Sequence, residues 1–187
     1  MNELSQQSNN QSLIPIHVQL EYQNLTDADM QHVIDEQILK KQCTSLNLSG
    51  NQITHKGVTM LANILKNNKT LKILYLSENG IGFSGAQHLG DALKINTTLT
   101  TLDLYGNHIQ AVGAKHLAEG LSKKSALHTL DLQYNKIGDK GVQHLAHVLH
   151  DNKTLTTLSL QYNEIGTAGA HDLADALRNN TVPYIFF

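Results

Sequence analysis

Histidine is the residue type here that most invites a chemical reading: eleven are present, and imidazole binds metal ions and moves protons near neutral pH. His88, His116 and His144 recur at one constant interval, and His144 and His147 stand three apart. A shared ion needs ligands at about 2 Å, whereas helices packed side by side lie roughly 8–10 Å apart. No carboxylate or cysteine completes the helical pair, so the histidines are read as a solvated or half-buried helix face, with no metal site and no cofactor expected. Cys43 is the single cysteine and holds the position that Leu71, Leu99, Leu127 and Leu155 fill elsewhere. It is expected to be a buried small hydrophobe rather than a nucleophile. The sequence shows no Gly-rich phosphate loop, no nucleophile elbow and no catalytic set that its internal repetition does not already explain. No catalytic residue is assigned, and the chain reads as a non-enzyme. What remains is recognition chemistry, carried by tyrosines and carboxylates.

The elements that position those groups repeat with a fixed period. Asn51, Asn79, Asn107, Asn135 and Asn163 mark a strict 28-residue repeat, with no insertion or deletion between them. Leu46/Leu48, Leu74/Leu76, Leu102/Leu104, Leu130/Leu132 and Leu158/Leu160 precede them, and Ile53, Ile81, Ile109, Ile137 and Ile165 follow. Leu-x-Leu puts two side chains on one side of a strand. Leu61/Leu65, Leu89/Leu93, Leu117/Leu121, Leu145/Leu149 and Leu173/Leu177 then keep the i, i+4 spacing of one helix face. Each unit is one strand, one turn and one helix. Such a unit cannot bury its leucines alone, so neighbours must stack and their strands must run parallel.

The recurring asparagines fall just after each strand, where an amide can donate to and accept from turn backbone. They are read as a structural ladder because every unit carries one. Asn-x-Ser/Thr also recurs, at Asn68, Asn96 and Asn152 among others. The repeat itself accounts for this, without any need for glycosylation. The polar start, residues 1–14, is expected to be disordered. A single repeat domain is expected over 15–187, with a degenerate cap at 15–42, regular repeats at 43–182 and a partial terminal strand at 183–187. In that last strand Phe186 falls on the 28-residue register of Leu46.

The unit LKILYLSENGIGFSGAQHLGDALKINTT resembles the ribonuclease-inhibitor-like class of leucine-rich repeat, found also in the repeat domains of nucleotide-binding innate-immune receptors. The resemblance spans about residues 15–187. It implies an α/β fold: a curved right-handed solenoid, or horseshoe, with a concave parallel sheet and convex helices, used as a protein-recognition platform. Short free-standing arrays of this kind also resemble repeat effectors that intracellular bacteria secrete into host cells. The GTPase-activating protein for the nuclear-transport GTPase has a similar repeat fold, so regulation of a small GTPase is the alternative from the enzyme class, and self-assembly through the ends is a third. Ribonuclease inhibitors alternate two repeat lengths and use many cysteines, whereas this chain has one length and one cysteine.

With the leucines inward, the residues between them face the concave side. One row there is Asn47, Tyr75, Asp103, Asp131, Ser159, flanked by Ser49, Ser77, Tyr105, Gln133, Gln161, with Gly50, Glu78, Gly106, Tyr134, Tyr162 just beyond. The expected partner-binding residues are Tyr75, Glu78, Asp103, Tyr105, Asp131, Gln133, Tyr134, Gln161 and Tyr162, since tyrosine gives large amphipathic contact at low entropic cost. Asp103 and Asp131 on adjacent strands repel unless a partner cation offsets them. The formal net charge of −2 and the scattered Lys/Arg argue against nucleic acid. No apolar run reaches the roughly 18 residues needed to cross a bilayer. The expectation is therefore a protein partner, no membrane insertion, and a monomer or a weak dimer through the C-terminal edge. The single cysteine and the polar start point to a cytoplasmic setting, the host cytosol for a secreted effector.

Overall fold

The computed structural model describes residues 14–121, 125–178, 180 and 184–187. The expected disordered start lies outside these residues, apart from the exposed Ile14. Seven three-residue strands form one parallel sheet in chain order: β1 His17–Gln19, β2 Ser45–Asn47, β3 Ile73–Tyr75, β4 Thr101–Asp103, β5 Thr129–Asp131, β6 Thr157–Ser159 and β7 Tyr184–Phe186. Between them run α1 (Met30–Val33), α2 (His55–Leu65), α3 (Gly82–Leu93), α4 (Gln110–Gly120), α5 (Gly138–Leu149) and α6 (Thr167–Leu177). Strands sit about 4.8 Å apart and helices about 8–10 Å apart, so stacking the units bends the array with its strands on the inside.

From β1 to β6 the register advances by one full repeat per strand and aligns Val18, Leu46, Leu74, Leu102, Leu130 and Leu158 in one buried row. The second leucine of each pair and the first helical leucine, Leu61, Leu89, Leu117, Leu145 or Leu173, complete a continuous apolar core. Small residues set the helix spacing. A methyl carbon on Gly90 would lie 2.3 Å from the His116 carbonyl oxygen, so α3 and α4 approach at a distance that only glycine permits. Cys43 is fully buried, and burial pushes its thiol up to about 11, which makes it an inert core residue.

Each strand is too short to close its own turn, and the asparagines finish the bonding. Asn135 Oδ1 accepts from the backbone N–H of Asn107 (3.0 Å) and Ile109 (3.1 Å) in the preceding unit. Its Nδ2 donates to Leu104 O (2.8 Å) across the units and to Leu132 O (3.1 Å) in its own. Asn163 repeats this toward Asn135 and Leu132, and Asn51 toward Gln23 and Leu25. A second asparagine row lies at the turn from helix to strand. Asn96 Nδ2 donates to Leu65 O, at the end of the previous helix, and its Oδ1 accepts from Thr98 and Leu99 N–H. Asn152 does the same toward Leu121. Asn180 reaches both Leu149 O and Asn152 O. The glycosylation-like triplets thus serve helix ends, and Asn96 and Asn152 are buried.

Two helix starts are also capped from the preceding unit. Asp27 Oδ1 accepts from Thr54 N–H (2.8 Å) and Gly57 N–H (2.9 Å) at α2, and Asp139 Oδ1 accepts from Gly166 N–H (2.7 Å) at α6. Burial acts to raise the Asp27 carboxyl, but the bonds from Thr54 and Gly57 outweigh it and hold the group below the ordinary value.

The ends depart from the regular units. At the start, a 3-10 turn (Asp27–Asp29) leads into α1, and a π-helix follows over Ile34–Lys40. Val33 holds the register position of Leu61, but the position of Leu65 falls on Gln37. The wider π turn brings Ile38 to the core instead. At the other end the expected register of Phe186 is corrected. Ile185 pairs with Leu158 and Phe186 with Ser159, because the last turn reaches the core position one residue sooner after Asn180 than the regular units do after Asn152. Phe186 therefore stands in the row of Asp103 and Asp131, and Ile185 packs on the core.

The two-sided bonding of the first ladder predicts that Asn107→Ala lowers stability by about 1–3 kcal/mol, because it strands the buried Ile81 N–H and leaves the Leu76 carbonyl with Asn79 Nδ2 alone of its two amide donors. Chemical denaturation of the two proteins is the check, and an unchanged midpoint would remove the structural role.

Candidate functional site

Four rows of side chains follow from the strand register. The first is His17, Ser45, Ile73, Thr101, Thr129, Thr157 and Tyr184. The second is Gln19, Asn47, Tyr75, Asp103, Asp131, Ser159 and Phe186. Beyond the strands come Glu21, Ser49, Ser77, Tyr105, Gln133 and Gln161, then Tyr22, Gly50, Glu78, Gly106, Tyr134 and Tyr162. All six tyrosines of the chain fall in these rows. Tyr22, Tyr184 and Phe186 were missed in the sequence. Tyr22 was legible as the residue one repeat before Gly50, whereas Tyr184 and Phe186 depend on the shortened last turn.

The fourth row lies on a left-handed turn residue. Gly50 and Gly106 hold φ of +64° and +65° there, and Tyr134 and Tyr162 hold +55° and +59°. Glycine takes this conformation freely, while a tyrosine in it costs about 1–2 kcal/mol. The turn lifts both phenol rings clear of the sheet, leaving Tyr134 45% and Tyr162 68% exposed. Their rings stack at 4.3 Å with an interplanar angle of 21°, and Tyr105 joins at 5.1 Å and 56°. Tyr184 and Phe186 form a second parallel pair at 6.4 Å. At the opposite end the Tyr22 ring lies across Gly50, and its hydroxyl donates to Glu78 Oε2 at 3.2 Å. That bond to Glu78 raises the Tyr22 phenol above its ordinary value.

The acidic residues sit beside the ring stack. Asp103 pairs directly with Asp131 across β4 and β5. Asp103 Oδ1 accepts from Tyr105 N–H, and Asp131 accepts from both the N–H and the side-chain amide of Gln133, each bond measuring 2.9 Å. These bonds fix the carboxylates without neutralising them. Burial pushes the Asp131 carboxyl up, the Gln133 bonds oppose this, and the Asp103 charge adds to the rise. Among the described residues, the buried side-chain acceptors without a hydrogen-bond partner are Glu21 Oε2 and Gln161 Oε1, and both stand in the third row. Of the predicted residues, Tyr105, Asp131, Gln133, Tyr134 and Tyr162 thus converge with Asp103. Glu78 instead joins Tyr22, and Tyr75 lies between these two groups in register.

On the opposite surface, His116 Nδ1 lies 3.8 Å from Glu119, which also accepts from Lys94 at 3.2 Å. No group of three or more metal-ligating side chains converges among the described residues. No described helix is long and apolar enough to cross a membrane.

The parallel strands, each returned through a helix at a constant register, are those of a repeat solenoid. The leucine-rich-repeat family matches residues 44–62, 67–90, 96–118, 124–146 and 151–174, more than half of the chain. The chain belongs to the leucine-rich-repeat family. Among solved structures it is similar to "Leiomodin-1 Actin-Binding Site 2 (ABS2)", with a TM-score of 0.65 and 22% sequence identity over 82% of this chain and 88% of that chain. At this identity the likeness concerns the fold alone. A search of curated proteins returned no match.

The Asp131 environment has a signed consequence. Because its folded-state carboxyl is raised, the folded chain holds that proton more tightly than the unfolded chain, so stability is lost as pH climbs from the ordinary aspartate value of 3.8 through the raised one. Asp131→Asn should therefore stabilise the fold at pH 7 by about half a kcal/mol. The gain should vanish below pH 3.8. Thermal melts of both proteins across this pH range test it, and an equal or lower melting temperature for the variant at pH 7 would contradict the assigned strain.

Proposed function

We propose that this chain is a non-enzymatic protein-interaction module that holds a protein partner on its concave strand face. The observation that carries this reading is the gathering of every tyrosine in the chain into the four strand-face rows. Fold energetics do not require it, since the core is built from leucine, isoleucine, valine and alanine with Met30 and Cys43, and holds no tyrosine. Tyrosines are favoured where a surface must bury large area on association, and a stacked, pre-positioned set loses little entropy when it does so. The three left-handed tyrosines, Tyr22, Tyr134 and Tyr162, point the same way, because strain at a turn that glycine would relieve is retained where the side chain has a use. Partner-contact roles are assigned to Tyr75, Glu78, Asp103, Tyr105, Asp131, Gln133, Tyr134, Gln161 and Tyr162, with Tyr22, Tyr184 and Phe186 added. The name of the solved neighbour, an actin-binding segment, is consistent with arrays of this shape serving to hold proteins. The helix in every regular unit supports placement in the ribonuclease-inhibitor-like class, although the single repeat length departs from the two alternating lengths of ribonuclease inhibitors themselves.

A second reading is favoured by one feature of the outer strand. Tyr184, Phe186 and Phe187 are 61%, 47% and 60% exposed at β7 and its end, and an exposed apolar edge strand pairs readily with another chain. Two copies would then associate weakly there. Light scattering across a concentration series checks this: removing residues 184–187 should convert dimer to monomer, and an unchanged mass at all concentrations would exclude the dimer.

The main reading is tested by replacing Tyr105 and Asp131 together with alanine in the full chain. The complex with a protein captured from native lysate should weaken by at least about 2 kcal/mol while the melting temperature stays nearly constant. The matching pair on the helix surface, Lys115→Ala with Glu119→Ala, should leave affinity unchanged. Binding that is lost with the helix pair and kept with the strand pair would place recognition on the convex side.

A further inference from the structure

The four rows that gather every tyrosine are equally selective about charge. None of the fourteen lysines and arginines of the chain falls in them, whereas Glu21, Glu78, Asp103 and Asp131 all do. Lys41, Lys69 and Lys72 lie at the rim where strands β2 and β3 begin, opposite the end that carries the tyrosine stack. The face therefore combines carboxylates, neutral polar groups and π surfaces, with no lysine or arginine of its own and one histidine, His17, at its far end. Its two buried unpartnered acceptors, Glu21 Oε2 and Gln161 Oε1, require donors as well. The exposed rings of Tyr134 and Tyr162 stack in line with the ring of Tyr105, whose own backbone N–H holds the Asp103 carboxylate as Gln133 N–H holds that of Asp131. Guanidinium matches this combination better than any other protein side chain, since it offers five donors and no acceptor, pairs with carboxylates in a fork and stacks flat on aromatic rings. Ammonium supplies the charge but not the plane.

Building on the proposed strand-face reading, we infer that the partner presents a basic segment carrying arginine, whose guanidinium groups stack on the Tyr105–Tyr134–Tyr162 rings and donate to Asp103, Asp131 and Glu78. Occupation by such a segment places a cation between the two facing aspartates, which repel each other in the free chain. Burial raises the Asp131 carboxyl most and the Asp103 charge adds to the rise, and a neighbouring cation would oppose both.

The probes are octa-arginine, octa-lysine and octa-glutamate, titrated calorimetrically into the full chain at 0.15 M salt. Non-specific attraction to an acidic protein treats the two basic peptides alike, so their ratio isolates the stacking. Octa-arginine should bind at least about fivefold more tightly than octa-lysine, and octa-glutamate should not bind. Tyr134→Asn with Tyr162→Asn keeps residues that tolerate the left-handed turn and should bring the ratio to about one. Asp103→Asn with Asp131→Asn should weaken both basic peptides. Equal binding of arginine and lysine by the unmodified chain, no binding of either, or a ratio untouched by the tyrosine pair would each overturn the inference, and the first two require no variant to fold. A selection of random twelve-residue peptides on the full chain separates this inference from the reading beneath it. Selected peptides that lose binding with Tyr105→Ala but carry no basic excess overturn the arginine assignment and leave the strand face standing. Selected peptides that ignore strand-face substitutions and respond to Lys115→Ala with Glu119→Ala overturn both.

Discussion

The turns that follow strands β1 to β5 each depend on a hydrogen bond supplied by the next unit. Strands of three residues leave turn N–H and C=O groups unpaired, and a buried unpaired backbone group costs about 1–3 kcal/mol. The asparagine ladder removes that cost by spanning units. One amide accepts from N–H groups 26 and 28 residues earlier and donates to a carbonyl 31 residues earlier, as Asn135 does toward Ile109, Asn107 and Leu104. A single unit has no such partner, so the units are stable only as an array. The second asparagine row extends the same dependence to the helix ends, and Asp27 and Asp139 extend it to two helix starts.

This arrangement separates the residues that fold the chain from those that the core does not engage. Leucine rows face the helices, asparagines serve the turns, and the strand positions between the leucines carry no obligation to the core. Those positions are where the tyrosines and aspartates stand. Their side chains are not idle within the fold, however: Asp103 and Asp131 close small turns onto Tyr105 and Gln133, which holds the carboxylates rigid at the base of the ring stack. A face fixed before contact loses little freedom on contact.

The fold was readable wherever a unit repeats its neighbour. The strand register from β1 to β6, the buried row from Val18 to Leu158 and the asparagine ladder all follow from one period, because a strict period carries its geometry from unit to unit. Legibility ended where the period did. A π-helix lets Ile38 replace Gln37 at the cap, and a turn one residue shorter moves Phe186 out of the leucine row. Backbone spacing sets both, and residue type does not reveal it. The candidate face was legible as rows, since Tyr75, Asp103, Asp131 and Tyr105 hold fixed offsets from the leucines. The ring stack was not, because Tyr105 and Tyr134 occupy different rows and meet only when the left-handed turn tilts one toward the other. Capping by Asp27 and Asp139 was also hidden, as each acts on a helix in the following unit.

The dependence of each turn on the next unit is best measured by native-state amide hydrogen exchange on the full chain. The N–H groups of Asn107, Ile109, Asn135 and Ile137 all donate to an asparagine Oδ1 of the following unit. They should exchange only through global unfolding, with protection equal to that of Leu104 and Leu132, which donate between strand ends. Fast exchange at those four turn amides while Leu104 and Leu132 stay protected would show that the turns open on their own, and would contradict an array whose rigidity is supplied across units.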